Sequence, residues 1–282
     1  MAEPSLTRRQ FLNRLAAVPL VGVSAVSAYA RLIEPYHYLV SETDIFIRDL
    51  PLTFEGFRIT QLTDIHHSRI VPLDEVRLVV SLAQQTKPDM FVLTGDYTTT
   101  YRRFIEPCAE ALSSLQAPEG VWAVLGNHDH YTDPELTTRA LARHHITVLA
   151  NANTTLRRGS DSLQLSGVDD WTWAASDWAR AFNGLQDRTP TILLSHQPIV
   201  LDFAETQKVD LILSGHTHGG QIDLPLIGVT ARFLTRDLKY VRGLFSRGKT
   251  QLYVSSGTGV IGLPLRLGVR PEIAVLRLQR AQ

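Results

Sequence analysis

The sequence predicts an α/β fold, with a largely parallel sheet and a second, mixed sheet. Three observations carry this expectation. Short apolar runs alternate with helix-patterned segments between residues 58 and 149, as they do in parallel α/β sheets. Later apolar runs follow one another with fewer helices between them, which points to mixed pairing. The 282 residues are 44% hydrophobic and 20% charged, a composition with ample material for a buried core and unlike that of disordered, collagen-like or polytopic membrane chains. From about Leu39 onward there is no repeat, low-complexity tract or Pro/Ser-rich linker, so a single compact domain is the simplest division.

The chain opens with an address. Ser5 to Leu12 places Arg8 and Arg9 just before an apolar pair, and no charge follows between Leu15 and Ala30. This resembles a twin-arginine export signal. The apolar stretch is shorter than the roughly 20 residues that span a bilayer, it contains Pro19 and Gly22, and Ala28-Tyr29-Ala30 has the small-x-small form of a cleavage site. Residues 1–30 are therefore expected to be a signal peptide or, if uncleaved, an anchor, with 31–55 a connecting segment and 56–282 the main folded domain. The protein is expected outside the cytoplasm, in the periplasm or on the outer face of the inner membrane. The export machinery would be one partner, and an uncleaved signal would add membrane association.

Residues 58–63 read as a strand, and 72–85 as a helix with Asp74 and Glu75 in its first turn and Val76, Val79, Val80 and Ala83 on one face. A buried strand over 89–94 and a helix near 109–115 follow. Strand 121–125, helix 136–142 and strand 146–149 continue the alternation. Residues 163–168, 191–194, 209–213, 252–255 and 273–278 supply the later strands.

Lys+Arg and Asp+Glu both number 28, so no basic field favours nucleic acid as the ligand. If the chain is cut after Ala30, 25 basic and 27 acidic residues remain. The single cysteine, Cys108, cannot form an intrachain disulfide and is expected as a small buried hydrophobe.

The chemistry follows the strand ends. Five apolar runs lead directly into Asp64-Ile65-His66, Gly95-Asp96, Gly126-Asn127-His128-Asp129, His196 and Gly215-His216-Thr217-His218. Ligands of α/β sheets gather beyond the carboxyl ends of strands, so these groups are expected to converge. Extended backbone would point i and i+2 the same way, aiming Asp64 with His66 and His216 with His218, while Gly95, Gly126 and Gly215 would allow a sharp departure from each strand.

The order D-x-H, GD, GNHD, H, GHTH resembles the calcineurin-like metallophosphoesterase superfamily over about 56–278. The stretch Asp64-Ile65-His66-His67-Ser68-Arg69, the GHTHGGQ run from Gly215 and the closing Pro264-Leu265-Arg266-Leu267-Gly268 resemble its exported bacterial phosphodiesterase branch. The resemblance implies a four-layer αββα sandwich and two divalent metal ions drawn from Mn, Fe, Zn, Co or Ni. It implies Asp64, His66, Asp96 and His218 as ligands of one ion and Asp96, Asn127, His196 and His216 as ligands of the other, with Asp96 bridging. Such a pair hydrolyses phosphoesters by a bridging hydroxide attacking in line. It implies His128 at the leaving oxygen, and Asp129 is expected to orient the His128 ring.

The sequence departs from the common pattern at His67-Ser68, where many relatives have glycine, and at Tyr97-Thr98-Thr99, which lacks a further acid; no ligand is lost. His67 and Arg69 are either substrate contacts or ordinary surface. Trp171, Trp173 and Trp178 are either an aromatic wall or core packing, and His130 and Tyr131 lie beside the GNHD turn. Gly257 to Gly262 fits G-x-G-x-x-G, but Pro264, Gly268 and Pro271 leave no helix to receive a dinucleotide, so NAD binding is rejected. The expected substrate is a small-molecule or lipid phosphoester, with a phosphodiester favoured. A phosphomonoester or lipid-linked pyrophosphate is the alternative, and a non-catalytic metal-binding scaffold a more distant one.

Overall fold

A computed structural model describes residues 23–174, 176–204, 208–224, 228–229 and 239–281. Arg8 and Arg9 lie outside them. Helix α1 (residues 23–32) leads through a 3₁₀ turn, Glu34–Tyr36, into strand β1 (Leu39–Ile47). The alternating half of the chain follows: β2 (Arg58–Leu62), α2 (Leu73–Gln85), β3 (Met90–Thr94), α3 (Ile105–Leu112), β4 (Val121–Val124), α4 (Asn127–Thr132), α5 (Pro134–Arg143) and β5 (Thr147–Val148). Then come β6 (Ala152–Arg158), β7 (Asp161–Gly167), α6 (Trp178–Ala181), β8 (Thr191–Leu194), β9 (Leu211–Ser214), β10 (Asp223–Leu224), β11 (Gly228–Val229), β12 (Gly243–Arg247), β13 (Thr250–Val254) and β14 (Glu272–Arg280). Among the described residues no helix is long and apolar enough to cross a membrane.

Two six-stranded sheets form, in the orders β1-β14-β2-β3-β4-β5 and β12-β13-β9-β8-β7-β6. Both are mixed. In the first, β2 to β5 are parallel, β14 runs against β2, and β1 runs with β14. In the second, β13, β9, β8 and β7 are parallel, with β12 and β6 antiparallel at the edges.

Strand alternation builds the layers. Along β3, Phe91 and Leu93 face α2 and α3, where they meet Val79, Val80, Cys108 and Leu112, while Met90 and Val92 face the second sheet. Along β8, Ile192 and Leu194 close the space between the sheets, while Leu193 points to an outer layer of short helical turns carrying Ala181, Val200 and Leu201. Strands buried on both faces read as continuous apolar runs, and this made them legible. Truncating one such leucine to alanine costs about 2–5 kcal/mol. The result is the expected αββα sandwich.

The segment 31–55, expected to connect, is part of the sandwich. It supplies β1, whose nine residues pair with β14 from Leu39↔Glu272 to Ile47↔Arg280, and Ile45, Ile47, Leu50 and Phe54 enter the core between the sheets. An edge strand half open to solvent carries polar residues such as Ser41, Glu42 and Asp44, which hides it from an apolar-run reading. The polar edge strand β6 escaped for the same reason.

Candidate metal centre

The parallel strands β2, β3, β4, β8 and β9 end at one side of the molecule, and each of the five expected motifs lies in the loop that follows one of them. Ligating atoms of Asp64, His66 and His218 lie within 4.8 Å of one another, as do those of Asp64, Asp96 and His196. Asp96 sits between the two groups: its Oδ2 is 3.4 Å from His66 Nε2 and 3.2 Å from His196 Nε2. On one side His66 Nε2 faces His218 Nε2 at 3.1 Å, and His218 Nε2 lies 3.4 Å from Asp64 Oδ1. On the other side Asn127 Oδ1 is 3.0 Å from both His196 Nε2 and His216 Nδ1. All seven expected ligands are brought together.

Left-handed turns, rather than extended backbone, produce the convergence. Asp64, His66, Asp96, His216 and His218 all have positive φ, between 52° and 71°. Such a conformation costs of order 1–3 kcal/mol per residue and persists only where its surroundings enforce it. Here they do. The His216 N–H donates to both Asp64 oxygens at 3.1 and 3.0 Å, the Asp64 N–H to the Gly95 carbonyl at 3.0 Å, and the His66 N–H to the Asp96 carbonyl at 3.0 Å. Of the three glycines, only Gly95 turns the chain through a positive φ, of 92°. Gly126 and Gly215 serve close approach, since a Cβ there would overlap the Asp96 carboxylate and the Thr63-Asp64 pair respectively.

The donor set fits a divalent cation. Nitrogen and oxygen donors 3.0–3.4 Å apart have the separation expected around an ion with bonds of about 2.1 Å, and two imidazole lone pairs facing each other need a proton or a cation between them. The His196 Nδ1–H donates to the Thr94 carbonyl at 2.8 Å, which directs Nε2 toward Asp96, where it carries either a proton or, in its place, a cation. Burial opposes charge on Asp96, yet the His196 charge and hydrogen bond, with His66, hold its carboxyl well below the usual range. Conversely, burial disfavours charge on His196, but Asp96 pushes it up to about 10. Burial, the largest effect on each, pushes His66 and His216 down to about 3 and keeps both imidazoles neutral. These values describe a carboxylate that draws positive charge to itself.

His128 stands edge-on to His66, with ring centroids 4.9 Å apart. Its Nδ1–H donates to the Thr99 carbonyl at 2.7 Å. Thr99, and not Asp129, therefore orients the ring. Both Asp129 oxygens are engaged by backbone N–H groups, of Asp96 (2.8 Å), Gly126 (2.9 Å) and Tyr97 (3.0 Å), so this buried carboxylate fastens the GD and GNHD loops together. The mistaken expectation came from adjacency in sequence, since successive residues at a helix start point different ways.

His67 is buried, with Nδ1 on the Val71 carbonyl at 2.9 Å and its ring against Phe104. It folds its own loop. Arg69 is exposed. Trp178 packs into the outer core, whereas Trp171 and Trp173 stay exposed on a loop that Asp170 closes by accepting from the Thr172 and Trp173 N–H groups at 2.8 Å. Gln197, next to His196, accepts from the Trp171 N–H at 2.9 Å, and His130 meets Asp169 at 2.7 Å, so this loop is tied to the site from two sides.

Arg266 was given no role by sequence reasoning. Its guanidinium is fully buried, and Nε and Nη2 donate to the Gly259 carbonyl at 3.1 and 2.6 Å while Nη2 also reaches the carbonyls of Ser256 (2.9 Å) and Gly257 (3.1 Å). The loop so held donates from the Gly259 N–H to the Asp64 carbonyl at 2.8 Å.

The family model for calcineurin-like phosphoesterases matches residues 57–220. Over 284 residues the chain is 33% identical to the uncharacterized metallophosphoesterase YkuE of Bacillus subtilis (strain 168), covering 97% of this chain and 98% of that one. It is 31% identical over 278 residues to the phosphodiesterase YaeI of Escherichia coli (strain K12), covering 97% and 99%. It is also 31% identical to the transmembrane protein with metallophosphoesterase domain of Danio rerio, spanning 66% of that protein. Among solved structures, TT1561 of Thermus thermophilus shares the fold, with a TM-score of 0.50, 16% identity, and coverage of 72% of this chain and 90% of that one. The matched segment runs from the start of β2 through the last histidine pair and so contains every side chain of the centre described above; the chain belongs to the calcineurin-like phosphoesterase family.

Proposed function

We propose that this protein is an exported phosphodiesterase working at a dinuclear metal centre. The observation that carries the reading is the position of Asp96, one carboxylate shared by two clusters of nitrogen and oxygen donors. Asp64, His66, Asp96 and His218 would hold one ion, and Asp96, Asn127, His196 and His216 the other. Divalent ions held there supply Lewis acidity toward water and the phosphoryl oxygens.

The chain's own groups do the rest. Fixed left-handed turns present the donors without reorganisation, which favours electrostatic preorganisation. His128, with its Nδ1–H held by Thr99, keeps Nε2 for the substrate, and an Nε2–H there would donate to the ester oxygen as the P–O bond breaks. Water supplies the new oxygen on phosphorus, and the departing alcohol leaves with a proton.

A diester is favoured over a monoester because the loops beside the centre bring few cations for a second phosphate charge: His67 is turned inward, and Arg266 spends its donors on backbone carbonyls. The name of the E. coli relative, phosphodiesterase, agrees. Comparing kcat/KM for bis-aryl and mono-aryl phosphates with each metal in turn tests the reading, and a tenfold monoester advantage would reverse the substrate preference. Export through the twin-arginine route rests on Arg8 and Arg9. Replacing both with lysine should retain active enzyme in the cytoplasm, and normal export of that variant would exclude the route.

A further inference from the structure

Strand β14 runs against β2 and β1 runs with β14, so β1 begins at the end of the molecule where β2 delivers Asp64 and His66. The chain before β1 therefore lies at the mouth of the metal centre. Helix α1 is docked there through buried Ala30, whose carbonyl accepts the Arg266 N–H at 2.9 Å. Every residue from 23 to 29 is exposed, and no side chain from 23 to 30 is charged. A helix of this composition standing in water is unusual.

It is also not isolated. Ile33 (55% exposed), Ile70 (46%) and Leu263 (57%) lie near it, and across the mouth the tethered loop exposes Trp171 and Trp173. Exposed apolar side chains therefore stand on both α1 and the tethered loop, the two segments that border the centre. Between α1 and the loops after β2 and β13 is a cavity of about 340 Å³, lined by Leu32, Tyr36, Ile70 and Val260 with two arginines, Arg31 and Arg69, against one acid, Glu75. Neither arginine has an ion-pair partner among the described residues. The Thr258-Gly259 backbone that walls this cavity is the same backbone that holds Thr63 and Asp64.

Resting on the phosphodiesterase reading above, and for the chain uncut at Ala30, we infer that this end of the molecule seats on an anionic bilayer and that the α1 cavity receives the apolar part of a glycerophospholipid phosphodiester whose phosphate reaches the metal centre. In sequence, no charged residue occurs from Leu15 to Ala30. Tryptophans at the rim and arginines that keep their heads among phosphates while their stems lie in apolar surroundings are features of membrane-interface binding. In the reaction, the water oxygen bonds to phosphorus, the P–O bond to one arm breaks, that oxygen leaves with a proton, and the other arm stays on the phosphate.

The test uses the full, metal-loaded chain. The single native cysteine, Cys108, is buried, so a cysteine at Ile33 or at Lys249, which lies in the β12-β13 turn at the opposite end, can be labelled with an environment-sensitive fluorophore. Phosphatidylglycerol vesicles should shift the label at 33 to the blue and leave the label at 249 unchanged. Ile33→Glu with Leu263→Glu should reduce turnover of vesicle phosphatidylglycerol at least tenfold while bis(4-nitrophenyl) phosphate is hydrolysed as before. No shift at 33, an equal shift at both positions, or equal losses on both substrates overturns the inference. So does a shift at 33 without vesicles that tracks a doubling of mass, which would assign the face to a second copy. If the wild type hydrolyses neither substrate, the phosphodiesterase reading fails, and the fluorescence alone decides the seating.

Discussion

Replacing Arg266 with methionine keeps roughly the side-chain length and removes the charge and every donor. The loss can be counted from the carbonyls left behind. Gly257 O still accepts from the Glu272 N–H at 2.9 Å, and His218 O from the Gln221 N–H at 2.9 Å, so neither is orphaned. Ser256 O and Gly259 O have Arg266 as their hydrogen-bond donor, at 2.9 and 2.6 Å, while Val269 O is reached only at a marginal 3.5 Å and is left out of the count. Two buried acceptors left without partners, at about 1–3 kcal/mol each, give a destabilisation of about 2–6 kcal/mol. With a urea m-value of about 3 kcal/mol per molar, the unfolding midpoint should fall by about 0.7–2 M. Arg266→Lys, with three donors on one ammonium, should recover part of this because it can reach both carbonyls. The loop would also release its grip on the Asp64 carbonyl, so metal content after dialysis should fall in the methionine variant. A midpoint change worth less than about 1 kcal/mol, with full metal content, would refute the claim that this buried guanidinium holds the loop.

Three further outcomes are expected. Asp96→Asn or Asn127→Ala should lower metal content by elemental analysis and abolish turnover, whereas His128→Ala should retain metal and lose about 10²–10⁴ in rate, the usual worth of a general acid; wild-type activity with full metal in Asp96→Asn would remove the shared-carboxylate assignment. Burial works against His130, but Asp169 raises it above 6.5, and Asp169, despite burial, is lowered below 3.8 by His130, so the pair stabilises fully between those values. That stabilisation fades as pH rises through the raised histidine value or falls through the lowered carboxyl value, so the melting difference between wild type and Asp169→Asn should be largest near pH 5 and shrink by pH 9. Burial pushes Glu75 up to about 7 from 4.5, so the fold prefers the protonated acid and stability declines as pH rises between those values; Glu75→Gln should stabilise the protein at pH 8 by about 1–2 kcal/mol, discounted for its partial exposure, and change little at pH 4.

The order of the site residues was legible in the sequence because each motif sits immediately after an apolar strand, and the buried strands and α2 were legible because their periodicity is local. The resemblance of that order of motifs to a known family then singles out Asp64, His66, Asp96, Asn127, His196, His216 and His218 as one set. Three things required the tertiary structure. The edge pairing of β1 with β14 joins residues more than two hundred positions apart, and no local pattern encodes a partner at that distance. The left-handed turns of five site residues are held by hydrogen bonds between loops, such as His216 to Asp64, and local propensity alone argues against them. The separate tasks of His128 and Asp129 follow from where two adjacent side chains point, one to Thr99 and the mouth, the other back to the N–H groups of Asp96 and Tyr97. Sequence determined which groups are available; long-range packing decided their directions, because hydrogen-bond geometry is satisfied between loops that only the folded sheets bring side by side.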